Sequence, residues 1–416
     1  MTAEQIVVVG GGVGGATAVG ELRRAGFTGG ITLVCGEPTV PYERPPLSKA
    51  FLLDDTVGET ADIAVHPPDW YAAHAVDLRL GTTATALDTA ARLVTLSDGD
   101  RLRYDRLLLA TGVRPRTLGG VAGPRVHQLR TVADARLLRA ALPDAEHVAV
   151  LGGGFIGCEV AAAAVQRGKR VTLLESLPTL LHRALGAQLG GAIADIHRDR
   201  GVDVRVGCSV VAVADGATGV AVTTDADRFE CDLLVVGVGS VPNQELAAQA
   251  GLAVDDGVLV DEFCATSARG VYAIGDVARQ CRPGHEHGVR VEHHDSAIRQ
   301  AKVAARNLLG AHEPFTDVHW FWSDQYEHSI QSAGNGTTGE LVVRGSLRER
   351  SFSAFRLADG RVRSVVSLDR PRDVLDTRRL IARDHVVTAA QLQDEAIPVK
   401  RLGAPPRPAM STKERL

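Results

Sequence analysis

The stretch IVVVGGGVGGATA at residues 6–18 is written a second time, as VAVLGGGFIGCEV at residues 148–160. Each copy is a β-branched run, then Gly-x-Gly-x-x-Gly, then an alanine-rich pattern, which is the layout of a strand, a tight turn and a helix. The copies use Gly10, Gly12 and Gly15, and Gly152, Gly154 and Gly157. In such a turn the first glycine reverses the chain and the second admits backbone close to a pyrophosphate. The third lets the helix pack on its strand. The phosphates then sit at a helix N-terminus, where free N–H groups and the helix dipole favour negative charge. One copy is a weak signal; two, each between a buried-type strand and a helix, predict two dinucleotide sites.

The acids after each second strand separate the two sites. KRVTLLES (169–176) reads as a strand ending in Glu175, about 20 residues after its turn, where a carboxylate accepts from ribose hydroxyls and repels a 2′-phosphate. That choice favours NADH over NADPH. In the first copy ITLV runs into Cys35, Gly36 and Glu37, so the carboxylate is expected one residue late, reaching a ribose by local adjustment or lying in an exposed loop.

Composition bounds the rest. A chain of 416 residues is too long for one core and predicts two or three domains. A net charge of -4 gives no electrostatic case for nucleic acid or for a membrane surface. No apolar run reaches the roughly 20 residues of a membrane span, and no signal-peptide pattern opens the chain, so a soluble, cytoplasmic protein is expected. The six cysteines (Cys35, Cys158, Cys208, Cys231, Cys264 and Cys281) form no CxxC or CxxxxC pair and read as reduced core residues. His293 and His294 invite a metal reading, but adjacent strand residues point to opposite faces and no third ligand stands at a useful spacing, so no metal site is expected.

Two further segments make the pattern specific. DRLLLATGVRP (105–115) is a buried strand ending in Ala110, Thr111 and Gly112, and GVYAIGDVA (270–278) is another ending in Gly275 and Asp276. In this order the chain resembles the flavoprotein reductases with two dinucleotide-binding domains. VPYERPPLSKAFL (40–52), with no cysteine, and FWSDQYEHSIQSAG (321–334) are similar to the ferredoxin and rubredoxin reductases that serve ring-hydroxylating dioxygenases and bacterial cytochromes P450.

That resemblance implies FAD in the first turn and NADH in the second, with hydride passed from NADH to FAD and single electrons leaving for a separate [2Fe-2S] ferredoxin. A Rieske oxygenase or a cytochrome P450 stands beyond it. By motif position it implies cofactor contacts from Val13 and Gly14, from Arg44 and Lys49, and from Ala84 and Arg130. It adds Phe155 and Ile156 in the second turn, Gly239, and Asp276 at the flavin's ribityl chain. Lys49 is also a cation suited to a flavin that becomes anionic on reduction. Glu159 is expected near the nicotinamide and is assigned, with Lys49, to the catalytic set. Asp295 or Ser296 is expected to cap a helix with apolar residues Ala297, Ala301, Ala304, Ala305 and Leu308 on one face, its N-terminus and His293 and His294 facing the flavin. Many relatives carry tryptophan where this chain has His294.

The expected architecture is α/β: two Rossmann-like domains of parallel strands and helical crossovers, with a small α+β C-terminal domain. Residues 1–113 and 246–314 form the FAD domain, 114–245 the NADH domain, 315–402 the C-terminal domain, and 403–416 a disordered tail. In the C-terminal part, alternation at Phe352 and Ala354 and at Val362, Ser364 and Val366 predicts an antiparallel sheet under a helix. From 316 onward 16 Lys and Arg face 13 Asp and Glu, with Arg344, Arg348, Arg370, Arg372, Arg378 and Arg379 prominent. Such an excess suits an acidic ferredoxin docking near Trp322, whose face Trp320 shares. A monomer or homodimer is expected. Two alternatives stay open: an NADH oxidase or monodehydroascorbate-type reductase, and a redox-dependent binding protein of the apoptosis-inducing-factor type.

Overall fold

The computed structural model describes residues 4–54, 60–119, 121–281, 288–336 and 338–403. The tail expected to be disordered falls, beyond Gly403, outside that set. The chain divides into two compact units, residues 1–327 and 328–416.

The first unit opens with β1 (Gln5–Val9), α1 (Val13–Arg24), β2 (Gly30–Val34), β3 (Val76–Arg79) and β4 (Arg106–Leu109). The strands are parallel in the order β3-β2-β1-β4, with Val9 paired to Val34 on one side and Leu109 on the other. The β-branched run of residues 6–9 is buried throughout, as a parallel sheet covered on both faces requires.

The second glycine turn rebuilds the same unit. Here β5 (His147–Leu151), α2 (Phe155–Gln166), β6 (Arg170–Glu175), α3 (His182–Asp199), β7 (Asp203–Val206) and β8 (Leu233–Val236) give the order β7-β6-β5-β8, edged by Val126–His127. The expected α/β class holds, but not all crossovers are helical. In each unit the link from the third strand to the fourth is a three-stranded antiparallel meander, at 84–103 in the first and 210–231 in the second. Segments such as LVTL and VAVTT are β-branched and alternate in burial, and SDGD and DGATG supply tight turns, so the local sequence favours strands over a helix.

The chain then returns to the first sheet, where β9 (Val271–Ala273) pairs with β4. The helix that follows, α4 (His294–Leu308), buries Ala297, Ala301, Ala304, Ala305 and Leu308 and packs along α1. Its N-cap is His293, with φ −113° and ψ 134°, not Asp295 or Ser296. Those two lie in the first turn, where Asp295 pairs with Arg299 at 2.8 Å and Ser296 meets His319 at 3.3 Å. The unit ends in β10 (Trp320–Gln325), packed against α2 and α4.

The second unit is an antiparallel sheet of β11 (His328–Gly334), β12 (Glu340–Ser346), β13 (Ser351–Ala358) and β14 (Arg361–Leu368), with α5 (Pro371–Ala382) against β14 and β11. Phe352 and Ala354 are buried as expected, but so are Ser353, Phe355 and Val365 between such positions, so the central strands are covered on both faces. Arg344 does not belong to an exposed basic surface. It is 5 % exposed, and its guanidinium donates to the carbonyls of Leu392, Asp394 and Ile397 at 3.1, 2.8 and 2.9 Å, tying the C-terminal segment to β12.

Candidate flavin and nicotinamide site

Both glycine turns open into one cavity of about 1280 Å³, larger than the roughly 300–1,000 Å³ of a site for one small molecule. Every predicted contact lines it except Gly15: Gly10, Gly12, Val13, Gly14, Glu37, Arg44, Lys49, Ala84, Ala110, Thr111, Gly112 and Arg130 from the first half, and Gly152, Gly154, Phe155, Ile156, Gly157, Glu159, Glu175 and Gly239 from the second. Gly275, Asp276, His293, His294 and Trp322 complete the list.

The turn glycines divide by task. Gly10 and Gly152 have φ of +125° and +106°, and a Cβ on either would lie 2.1 or 2.3 Å from a carbonyl oxygen of the neighbouring strand's end. Gly15 is buried behind the cavity, where a Cβ would stand 2.0 Å from the Gly10 carbonyl; Gly157 repeats this at 1.9 Å from that of Gly152. Both glycines therefore let the helix pack closely on its strand. At Gly12 and Gly154, the N-caps of α1 and α2, a Cβ would meet no atom within 4 Å, and neither helix has a side-chain cap. The open space and the uncapped N–H groups are what a pyrophosphate needs.

Other groups fit the same ligands. Arg130 Nε, Thr39 Oγ1, His293 Nδ1 and His294 Nε2 are buried without a hydrogen-bond partner among the described residues, His294 Nε2 standing 3.8 Å from Glu43 Oε1, and all four residues line the cavity. Buried polar groups of this kind are normally satisfied, so these four atoms are suited to bonding a ligand in the cavity. Arg130 also pairs with Asp276 at 2.9 Å, next to the open turn at Gly112. His293 and His294 do not lie on a strand: as N-cap and first residue of α4 both face the cavity. Burial pushes His293 down to about 4 against the pull of Asp276, and lowers His294 against Glu43, Asp295 and Asp276. Both imidazoles are thus neutral at the positive end of a helix.

The acid positions differ between the two turns. Gly10 N donates to Val34 O and Gly152 N to Leu174 O, so the equivalent of Glu175 is Cys35. Glu37 therefore stands two residues late, not one. Its carboxylate accepts from Tyr42 Oη and from Arg44 Nη2 at 2.9 Å. The Cys35 thiol is pushed up to about 12 by burial and by the Glu37 charge, so it stays protonated. Glu175 accepts from the Gly153 and Leu177 amides, both at 2.8 Å, and from Ser176 Oγ at 3.2 Å, which uses three of about four acceptor positions.

Between the turns lies a buried ion pair. Glu159, 4 % exposed on α2, accepts from Lys49 Nζ at 2.8 Å, from Ser48 Oγ, and from Ser323 Oγ at 2.6 Å. Removing Lys49 leaves the Glu159 carboxylate buried without its cation, a change that costs roughly 3–5 kcal/mol in buried pairs. Phe155 and Phe321 meet edge to face at 4.8 Å beside His293. Trp322 stands edge-on to His294 at 5.6 Å and stacks on Trp320 at 5.1 Å. Sequence reasoning missed Ser48, Ser323, Tyr42, Thr39 and Phe321. Ser48, Tyr42, Phe321 and Ser323 sit inside quoted motifs within two residues of assigned ones; Thr39 lies just outside them.

The pyridine nucleotide-disulphide oxidoreductase model matches residues 4–306 and the reductase C-terminal model residues 320–403. Rhodocoxin reductase from Rhodococcus erythropolis is 39 % identical, with 95 % of this chain and 93 % of the relative aligned. The ferredoxin–NAD(+) reductase component of the anthranilate 1,2-dioxygenase system of Burkholderia cepacia is 41 % identical over 96 % of this chain and 99 % of its own. The crystal structure of the ferredoxin reductase for the CYP199A2 system from Rhodopseudomonas palustris superposes with a TM-score of 0.93 at 34 % identity, covering 96 % of this chain and 100 % of that one. The chain is a member of the pyridine nucleotide-disulphide oxidoreductase family, in its ferredoxin reductase branch.

Proposed function

We propose that this protein is an NADH-dependent, FAD-containing reductase that passes electrons to a [2Fe-2S] ferredoxin feeding a Rieske dioxygenase or a cytochrome P450. The single observation that carries the reading is the one cavity shared by both glycine turns, with the Lys49–Glu159 pair between them. The named relatives serve a dioxygenase system and a cytochrome P450 system through ferredoxins. A flavin bound here supplies the conversion of a hydride into single electrons. The first turn, Arg44 and Arg130 hold its pyrophosphate side, and Asp276 its ribityl side. Lys49 places positive charge where reduction builds negative charge. Glu159 and the second turn orient the nicotinamide end of NADH, and Glu175 selects it over NADPH. The aromatic wall of Phe155 and Phe321 excludes water from that face.

Residues 1–113 and 246–314 make up the FAD half in this reading, and 114–245 the NADH half. With no CxxC pair in the sequence, electrons leave to an external acceptor. A cytoplasmic location belongs to the same proposal, since six unpaired cysteines suit a reducing compartment. Among the described residues no helix is long and apolar enough to cross a membrane.

The test is anaerobic stopped-flow reduction of the purified yellow protein by NADH, followed by reoxidation with ferredoxins, quinones and oxygen. Fast reoxidation by a [2Fe-2S] ferredoxin is expected. Faster reoxidation by oxygen than by every ferredoxin would instead identify an oxidase.

A further inference from the structure

Glu159 is held from behind as well as from the cavity. Ser323 Oγ meets Glu159 Oε1 at 2.6 Å, Gln325 Nε2 meets Ser323 Oγ at 3.1 Å, and Gln325 Oε1 meets His197 Nε2 at 3.0 Å. Tyr326 Oη meets His197 Nδ1 at 2.9 Å. Ser323 and His197 are fully buried, and Gln325 is 3 % exposed.

The hydrogens of this chain can be assigned from its chemistry. Gln325 Oε1 is an acceptor, so His197 Nε2 carries the proton, and Nδ1 accepts from the Tyr326 hydroxyl. The Gln325 amide nitrogen donates to Ser323, whose one hydroxyl hydrogen then points at Glu159. Reversing the amide would turn that hydrogen toward Gln325 and leave two oxygens 2.6 Å apart with no proton between them. Four donors therefore run one way, from Tyr326 to the carboxylate, and each polarises the next. Because an amide does not relay protons readily, the chain orients rather than conducts.

Resting on the reading of this cavity as the meeting place of NADH and flavin, we propose that Ser323, Gln325 and His197 are positioning residues that fix the Glu159 carboxylate for the nicotinamide end of the coenzyme. Ser48 and Lys49 come from one segment, His197 from α3, and Ser323 and Gln325 from β10, so the carboxylate on α2 is set against three other elements at once. The ionisable groups around Glu159 are Lys49 from the flavin-side segment, Cys158 beside it on α2, and His197 and Tyr326 at the far end. Of these only Lys49 offers it a charge at neutral pH, since burial keeps His197 neutral and the Cys158 thiol protonated.

The experiment compares the FAD-loaded parent with Ser323→Ala and Gln325→Leu. Flavin reduction at saturating NADH should slow about ten-fold in Ser323→Ala and less in Gln325→Leu, with a smaller change in the NADH concentration at half-saturation. Ser323→Thr, which keeps the hydroxyl donor to Glu159, should restore most of the parental rate, an outcome that a merely space-filling serine would not give. Ser323→Ala and Gln325→Leu proteins that keep their flavin and match the parent in both readouts would overturn the proposal alone. A parent that NADH does not reduce would overturn the functional reading and the proposal with it.

Discussion

At the scale of single residues, charge placed against a ligand's charge makes the sharpest predictions. Glu175 stands at the end of β6 with its carboxylate held by three donors, and a 2′-phosphate brought there meets a like charge. The parent should reduce its flavin with NADH far faster than with NADPH. Glu175→Lys should lower the ratio of the two kcat/KM values by about ten-fold or more, equivalent to about 1.4 kcal/mol. An unchanged ratio would mean that another group selects the coenzyme. His197 gives a pH prediction. Burial holds it near 4 in the folded protein, against roughly 6.5 when unfolded. Below that unfolded value the unfolded chain takes a proton that the native state refuses, so stability is complete above it and falls as pH drops toward 4. Between about pH 7 and pH 5 the loss from this residue is about 2 kcal/mol. The melting temperature of His197→Gln should therefore vary less with pH than that of the parent over this window. Parallel curves would show that His197 protonates in the folded state.

At the scale of elements, the two glycine turns allow the same substitution to be tried at positions with different surroundings. A methyl at Gly157 would lie 1.9 Å from the Gly152 carbonyl, so α2 would have to move off its strand, whereas one at Gly154 meets no protein atom. Gly157→Ala should cost about 1–3 kcal/mol of stability, the usual range for forced overpacking. Gly154→Ala should leave the melting temperature near the parent's and weaken NAD+ binding, because its methyl enters the space left for phosphate. Thermal melts and calorimetric NAD+ titrations separate the two. Equal effects on stability would refute the division between packing and ligand-facing glycines. The meanders at 84–103 and 210–231 show how element type follows local chemistry even where a parallel sheet leads one to expect a helix.

At the scale of the whole molecule, association with an acidic ferredoxin depends on summed charge. The second unit carries the basic excess, but not every arginine contributes to it: Arg344 is consumed inside the unit by backbone carbonyls. On α5, Arg372 and Arg379 are exposed, the latter beside Asp376 at 3.1 Å. Reversing both to Glu should slow ferredoxin reduction several-fold at low salt and leave flavin reduction by NADH unchanged. The difference should shrink with added salt, since exposed charges are screened over about 10 Å at 0.1 M. Parental rates at every salt concentration would exclude steering by this pair.

The sequence by itself determined whatever depends on neighbours along the chain: two strand–turn–helix units, the glycine positions, Glu175 after its strand, and the apolar face of α4. These are legible because backbone conformation and periodicity act over a few residues. Even there a local reading misjudged Glu37 by one residue, because the end of β2 is fixed by pairing with β1 and β3, and it took His293 and His294 for strand residues. Only the tertiary structure decided what Glu159 touches. Ser48 reaches it across 111 residues and Ser323 across 164, while His197 meets Gln325 across 128. A serine or glutamine shows no periodicity that marks its partner, and a hydrogen bond needs its two atoms placed to a few tenths of an ångström, which is set by how separate elements pack.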